Sequence, residues 1–249
     1  MMYMEPVIEV KGLTKKYGNT VAVDHVSYTI NGGEVFGLLG PNGCGKTTTI
    51  LMLMGLISPN EGTAVVNGSD IKEDPMGARR QVGLLCDNVG LYENLTARQN
   101  LRFFAELSDL KPREAEERIT KLLTLVGLKE KQDVKVSAMS RGMRQRLGIA
   151  QSLIRDPRIL VFDEPTLGID PEGTRELRGL IKLLAREQGR TIVFTSHLLA
   201  EVNRLCDRVA IMKDGKVIAI GSIPDLRKQI NAAEGDEFED VFLRYQGVV

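Results

Sequence analysis

The chain is predicted to be an α/β protein in which a mostly parallel sheet is flanked by helices, and three observations predict it. Short apolar runs rich in branched residues recur at Val35–Leu39, Ile159–Phe162, Thr191–Phe194 and Val209–Met212. Helix-like stretches separate most of them, which is the pattern of strands buried on both faces. Residues 40 to 47 then read Gly-Pro-Asn-Gly-Cys-Gly-Lys-Thr, placed between the first of those runs and a breaker-free stretch from Lys46 to Met54. Strand, glycine loop and helix in that order form a phosphate cradle.

Each residue type in that loop has a physical task. Glycines at 40, 43 and 45 let the backbone bend so that successive N–H groups point inward at a phosphate, and the helix start adds its partial positive charge. Lys46 supplies a mobile cation for the outer phosphates, and Thr47 a hydroxyl for Mg²⁺. Gly40, Pro41, Asn42, Gly43, Cys44, Gly45, Lys46, Thr47 and Thr48 are therefore the expected triphosphate-binding residues.

The remaining elements fall around this core. Residues 7 to 35 alternate apolar and polar, with turn signals at Tyr17-Gly18-Asn19 and Asn31-Gly32-Gly33, and Val65-Val66 continues the pattern. These read as antiparallel strands. Residues 96 to 155 hold three helical segments. Thr96 and Gln99 form a capping box, Pro112 opens the second helix, and Gly127 closes it. Glu114 with Arg118 and Glu117 with Lys121 are spaced as i,i+4 pairs. Lys213-Asp214-Gly215-Lys216 signals a hairpin into Val217–Ile220. The expected architecture is a P-loop NTPase core with an antiparallel β subdomain and an inserted α-helical subdomain over about 88–155. It extends over residues 1–221, followed by a short C-terminal extension, 222–249, whose Phe238–Leu243 segment folds back on the core as an amphipathic helix.

Composition limits the function classes. With 249 residues, the chain can bury one large core. Lys plus Arg and Asp plus Glu both total 33, so no net field draws it to nucleic acid or an anionic membrane. No apolar stretch approaches the roughly 20 residues that span a bilayer, and the N-terminus lacks a signal-peptide core. A cytoplasmic location is expected, with any membrane association made through a protein partner. Three widely spaced cysteines, Cys44, Cys86 and Cys206, fit neither a disulfide framework nor a zinc site.

Further chemistry-bearing positions accompany the phosphate loop. Asp163 and Glu164 end the apolar run from Ile159, and strand alternation would aim them in opposite directions. Asp163 is expected to hold Mg²⁺, and Glu164 to act as base toward the water that attacks the γ-phosphate. Ser140 is placed to cap a helix carrying Met143, Leu147, Ala150 and Ile154 on one face. Arg141, Arg144 and Arg146 crowd the positive end of that helix, a conflict that an incoming anion would relieve. Ser140 and the Gly142 backbone thus make a second phosphate-binding surface with no nucleotide of its own. His197, one of two histidines, follows the Thr191–Thr195 run and would meet the γ-phosphate and the attacking water.

These pieces in this order resemble the ATP-binding subunits of ABC transporters, over nearly everything from Val7 to Gly221. The resemblance places Ser140–Met143 on the family signature, Asp163 and Glu164 on the Walker B acids, Leu167–Asp170 on the D-loop and His197 on the switch histidine. It places Tyr17 on the aromatic residue that stacks on adenine. The family's metal-contacting glutamine would align with Asp87, which is shorter and charged, and a solvated loop acid is the competing reading. The signature departs from Leu-Ser-Gly-Gly-Gln at Met139, Arg141 and Met143, while Ser140 and Gly142 remain. Ser-Arg-Gly-Met-Arg-Gln-Arg followed by Leu-Gly-Ile-Asp-Pro looks like the ATPases of prokaryotic efflux systems.

The resemblance implies ATP and Mg²⁺ as cofactors and a head-to-tail pair of ATPase subunits that clamps two ATP. It also implies a separate transmembrane permease, no nucleic-acid partner, and a place on the inner face of the cell membrane. The permease would lie over the helical insertion near Leu91, Tyr92, Phe103 and Phe104. A soluble ABC-type ATPase serving ribosomes, DNA or cofactor assembly is the alternative.

Overall fold

The computed structural model describes residues 6–86, 89–196, 198–232 and 236–248. The chain opens with a long hairpin, β1 (Pro6–Tyr17) and β2 (Thr20–Asn31), then enters β3 (Val35–Leu39), the phosphate loop and α1 (Lys46–Leu53). It returns through β4 (Glu61–Val66), β5 (Ser69–Asp70), α2 (Pro75–Arg80) and β6 (Val82–Leu85). The helical insertion follows as α3 (Ala97–Glu106), α4 (Pro112–Leu125) and α5 (Arg141–Ser152). The core resumes with β7 (Ile159–Asp163), α6 (Pro171–Lys182), β8 (Thr191–Thr195), α7 (Leu199–Leu205), β9 (Arg208–Lys213) and β10 (Lys216–Gly221). Two helices, α8 (Ile223–Gln229) and α9 (Phe238–Gln246), complete it.

Two sheets result. An antiparallel one has the order β2-β1-β4-β5, and a six-stranded one has the order β10-β9-β3-β8-β7-β6. In the second, β3 pairs in parallel with β8 and β9, β7 pairs in parallel with β6 and β8, and only β10 is antiparallel, through the predicted hairpin.

The parallel strands are apolar at their centres because both of their faces are covered. Phe36, Leu38, Val161, Val193 and Ala210 pack with Ile8, Val10, Ile30 and the α1 residues Ile50 and Leu53. Their neighbours Val35, Leu39, Phe162, Phe194 and Ile211 face the other way, against Leu147, Leu177, Ile181 and Val202 of α5, α6 and α7. A strand with one wet face would have alternated with polar residues. The antiparallel sheet does so, with Ile8 and Val10 buried and Glu9 and Lys11 paired outside at 2.5 Å.

The insertion is held together by polar contacts as well as by its core. Thr96 and Gln99 form the reciprocal cap of α3, and Pro112 starts α4. The buried Asn100 side chain donates to the carbonyls of Tyr92 and Thr96 and accepts from the Tyr92 N–H. Glu116 on α4 receives Arg98 at 2.7 Å and Arg102 at 2.6 Å, both from α3. Two expectations change. Glu114 pairs with Arg118 as the spacing predicts, but Glu117 takes Arg113 at 3.1 Å instead of Lys121. A glutamate between two cations one turn away on either side goes to the guanidinium, whose fork offers more donor geometries than an ammonium. Among the described residues from 222 onward there are two helices where one was expected, since Ser222 caps α8 by accepting from Asp225 N–H.

Among the described residues no helix is long and apolar enough to cross a membrane. The Glu116 carboxyl is held below its ordinary value of 4.5, chiefly by its bond to Arg102. A depressed folded-state value means that this contribution to stability is present above pH about 4.5 and fades as the pH falls through the lowered value. Glu116→Gln is therefore expected to flatten the acid limb of a plot of melting temperature against pH below about 4.5, and to leave its shape above pH 6 unchanged.

Candidate nucleotide-binding site

The site begins where β3 ends. Gly40 has φ 151°, and a Cβ there would stand 2.4 Å from the Met212 carbonyl oxygen and 2.5 Å from Cys44 Sγ. Gly45 has φ 106°, and a Cβ there would come within 2.4 Å of the Ala22 carbonyl oxygen. Both positions accept only glycine, for backbone conformation and for space. Gly45 then acts as the N-cap of α1 without a side chain, leaving the first-turn N–H groups directed out of the helix end.

Lys46 is 8% exposed, and its ammonium donates to the carbonyl oxygens of Gly40 at 2.7 Å and Pro41 at 3.1 Å. An ammonium has three donors, so the loop that positions Lys46 leaves one direction for a phosphate oxygen. Cys44 is buried, and burial pushes its thiol up, so it fills space as the least reactive kind of cysteine.

A cleft of about 270 Å³ opens beside the loop, lined by Asn42, Gly43, Lys46, Thr47, Thr48, Asp163 and Glu164 among others. The two acids share it. Strand alternation had set them on opposite sides, but β7 stops at Asp163, and Glu164 adopts φ 50°. That left-handed turn swings the second carboxylate back to the same cleft. Thr195 holds the arrangement: its hydroxyl donates to Asp163 Oδ1 at 2.5 Å and accepts from the Glu164 N–H at 3.0 Å. Its carbonyl accepts the same N–H at 3.2 Å. Thr195 is fully buried and was not among the sequence candidates, although a polar residue closing a buried strand was a usable signal. A threonine hydroxyl and an aspartate carboxylate on one cleft are oxygen donors of the kind Mg²⁺ takes, so the donor set fits the metal.

The signature residues lie elsewhere. Ser140 caps α5, accepting from Met143 N–H at 3.2 Å, and neither Ser140 nor Gly142 lines the Lys46 cleft. Arg141 lays its guanidinium against Gly168, where a Cβ would be 2.9 Å from an Arg141 Nη atom, and Gly142 faces Ile169. The start of α5 and the segment 167–170 thus form one body. Arg144 donates to the Met139 carbonyl, and Arg146 reaches Glu176 at 3.3 Å and the Val126 carbonyl at 3.4 Å. The charge conflict at this helix end is therefore partly relieved within the chain. Tyr17 ends β1, is 52% exposed under Lys15, and does not line the cleft. His197 and Asp87 lie outside the described residues.

The ABC transporter family profile matches residues 23–167. The chain is 43% identical to the probable multidrug ABC transporter ATP-binding protein YbhF of Escherichia coli, over 90% of its own length and 39% of that protein's. It is 40% identical to the bacitracin transport ATP-binding protein BcrA of Bacillus licheniformis, over 91% of its length and 73% of that protein's. Among solved structures, a dimeric post-hydrolysis state of the ATP-binding cassette MJ0796 bound to ADP and Pi superposes with a TM-score of 0.77 at 26% identity, covering 86% of this chain and 98% of that one. The chain belongs to the ABC transporter family, as an ATP-binding subunit.

Two substitutions test the expected division between binding and chemistry. Lys46→Ala is expected to raise the Kd for ATP at least about tenfold in a fluorescence titration, since a charge-assisted contact is worth roughly 1.5–3 kcal/mol. Glu164→Gln should keep that Kd within about threefold while slowing hydrolysis by about 10²–10⁴, the range of a lost general base.

Proposed function

We propose that this chain hydrolyses ATP with Mg²⁺ and, as a head-to-tail pair with a second copy or a close relative, powers export through a separate transmembrane permease. The observation that carries the reading is the division of phosphate-seeking groups between two surfaces. Lys46, Thr47, Asp163 and Glu164 share one cleft, while Ser140 and Gly142 begin a helix outside it. In this reading one triphosphate engages both sets, the second set coming from another protomer.

In this reading the loop N–H groups and Lys46 bind the β- and γ-phosphates, and Tyr17 stacks on the adenine. Thr47 and Asp163 would hold Mg²⁺, which supplies charge neutralisation on the phosphate oxygens. Glu164 accepts a proton from the attacking water, with Thr195 fixing the direction of its backbone. By the family resemblance, His197 would contact the γ-phosphate and Asp87 would take the place of the metal-contacting glutamine. Ser140 and the Gly142 N–H close on the partner's ATP, so nucleotide acts as the adhesive and hydrolysis loosens it. The dimeric state of MJ0796 supports the pairing.

The permease would dock on the insertion. Tyr92, 49% exposed, packs edge-on to Phe103 at 4.8 Å, which in turn meets Phe104 at 5.4 Å, and Leu107 beside them is 65% exposed. An exposed aromatic ledge of that kind suits a short apolar partner helix. Zero net charge agrees with attachment to the inner membrane face through that partner, without lipid or nucleic acid. The names of YbhF and BcrA, a probable multidrug transporter and a bacitracin transport protein, support a role in transport.

The test uses Glu164→Gln to hold the closed state. With ATP, that variant is expected to elute as a dimer in size exclusion with light scattering, and adding Arg141→Glu should return it to monomer while leaving monomer affinity for ATP unchanged. A double variant that still dimerises would remove the Ser140–Gly142 surface from the interface.

A further inference from the structure

We infer that Gln246, in the last turn of α9, is a positioning residue for the phosphate loop. This rests on the ATPase reading, but no signature of that reading reaches the C-terminal helices. Gln246 is 8% exposed, and its Nε2 donates to the Met212 carbonyl oxygen at 3.1 Å. Its own carbonyl accepts from Lys213 Nζ at 2.5 Å. Two bonds therefore tie the end of α9 to adjacent residues of β9.

Those residues border the site. Ile211 pairs with Leu39, the last residue before the loop, and the Met212 carbonyl is the atom that excludes any side chain at Gly40. The Gly40 carbonyl in turn accepts from the Lys46 ammonium. The turn after Lys213 returns to the loop as well, since Gly215 N–H donates to the Cys44 carbonyl at 3.2 Å and the Gly215 carbonyl accepts from Asp24 N–H at 2.8 Å. One face of the loop is thus built on the β9–β10 hairpin, and α9 holds that hairpin in place.

The close approach at Gly40 makes the direction of the Met212 carbonyl matter. Without a donor from α9, the carbonyl is a buried acceptor short of a partner, and tilting it to find one moves it relative to Gly40. The loop then meets the nucleotide with its N–H groups displaced. Affinity should fall, while Glu164, held separately by Thr195, keeps its rate once nucleotide is bound.

The experiment compares three variants of the full chain. Gln246→Met keeps the length of the side chain and removes the donor. It is expected to raise the Kd and KM for MgATP about five- to tenfold, the factor that about 1 kcal/mol gives, with kcat within about twofold. Lys213→Met removes the second tie from the hairpin side and should shift Kd the same way, which decides the matter if Gln246→Met does not fold. Tyr245→Phe removes bonds from the same helix to the Leu226 carbonyl and Gln229 Oε1, with no link to β9. It should lower the melting temperature and leave Kd within twofold. If Gln246→Met and Lys213→Met bind MgATP like the wild type, or if Tyr245→Phe weakens binding as much as they do, the positioning role is refuted. A wild-type chain that binds no MgATP would instead overturn the ATPase reading itself, and this inference with it.

Discussion

The Lys46 ammonium is bonded to the carbonyl oxygens of Gly40 and Pro41, six and five residues earlier in the chain, and this contact closes the phosphate loop on itself. A cation at 8% exposure needs such acceptors, because burying it unpaired would cost several kcal/mol. Gly40 presents its carbonyl while turning at φ 151°, with the Met212 carbonyl so close that a Cβ there would stand 2.4 Å from its oxygen. The parallel sheet sets that close approach. Strand β9 runs beside β3 through the Leu39–Ile211 pair and continues to Lys213, so its Met212 carbonyl stands one residue past the last pairing, beside the start of the loop.

From that constraint follows a division of labour within the chain. The six-stranded sheet carries the loop, the two acids and Thr195 at the ends of β3, β7 and β8, buried on both faces and hence stiff. The start of α5 belongs to the inserted helices and is packed through Arg141 and Gly142 onto residues 168 and 169. A ligand that draws α5 of one copy toward the loop of another therefore pulls on the segment following Glu164, and the aromatic ledge at Tyr92 and Phe103 rides on the same insertion. In the proposed reading, binding, hydrolysis and transmission would be linked by covalent and packing continuity, with no separate relay required.

Most of the fold was legible because its causes are local. Apolar runs with glycine boundaries marked the buried strands, the Thr96–Gln99 box and Pro112 marked helix starts, and Asp214-Gly215 marked the last hairpin, with both residues at positive φ. The phosphate loop was legible because phosphate chemistry dictates its residues. What escaped depended on conformations or distances that composition does not encode. Glu164 leaves the strand at φ 50°, so alternation placed it on the wrong side. Arg144 and Arg146 find acceptors on Met139, Val126 and Glu176, partners brought near only by the fold. Thr195 and Gln246 are ordinary polar residues in sequence and acquire meaning from what stands next to them in space.

The central claim is that a nucleotide gripped by Lys46 of one copy is touched by Ser140 of another, and mixing two disabled chains tests it directly. Lys46→Ala and Ser140→Arg each damage both sites of a homodimer, but a mixed dimer regains one site with an intact Lys46 and an intact Ser140. Phosphate release by an equimolar mixture is predicted to rise well above the sum of the two variants measured alone. A mixture that releases no more than that sum, at concentrations where wild-type chains dimerise, would contradict the shared-ligand account.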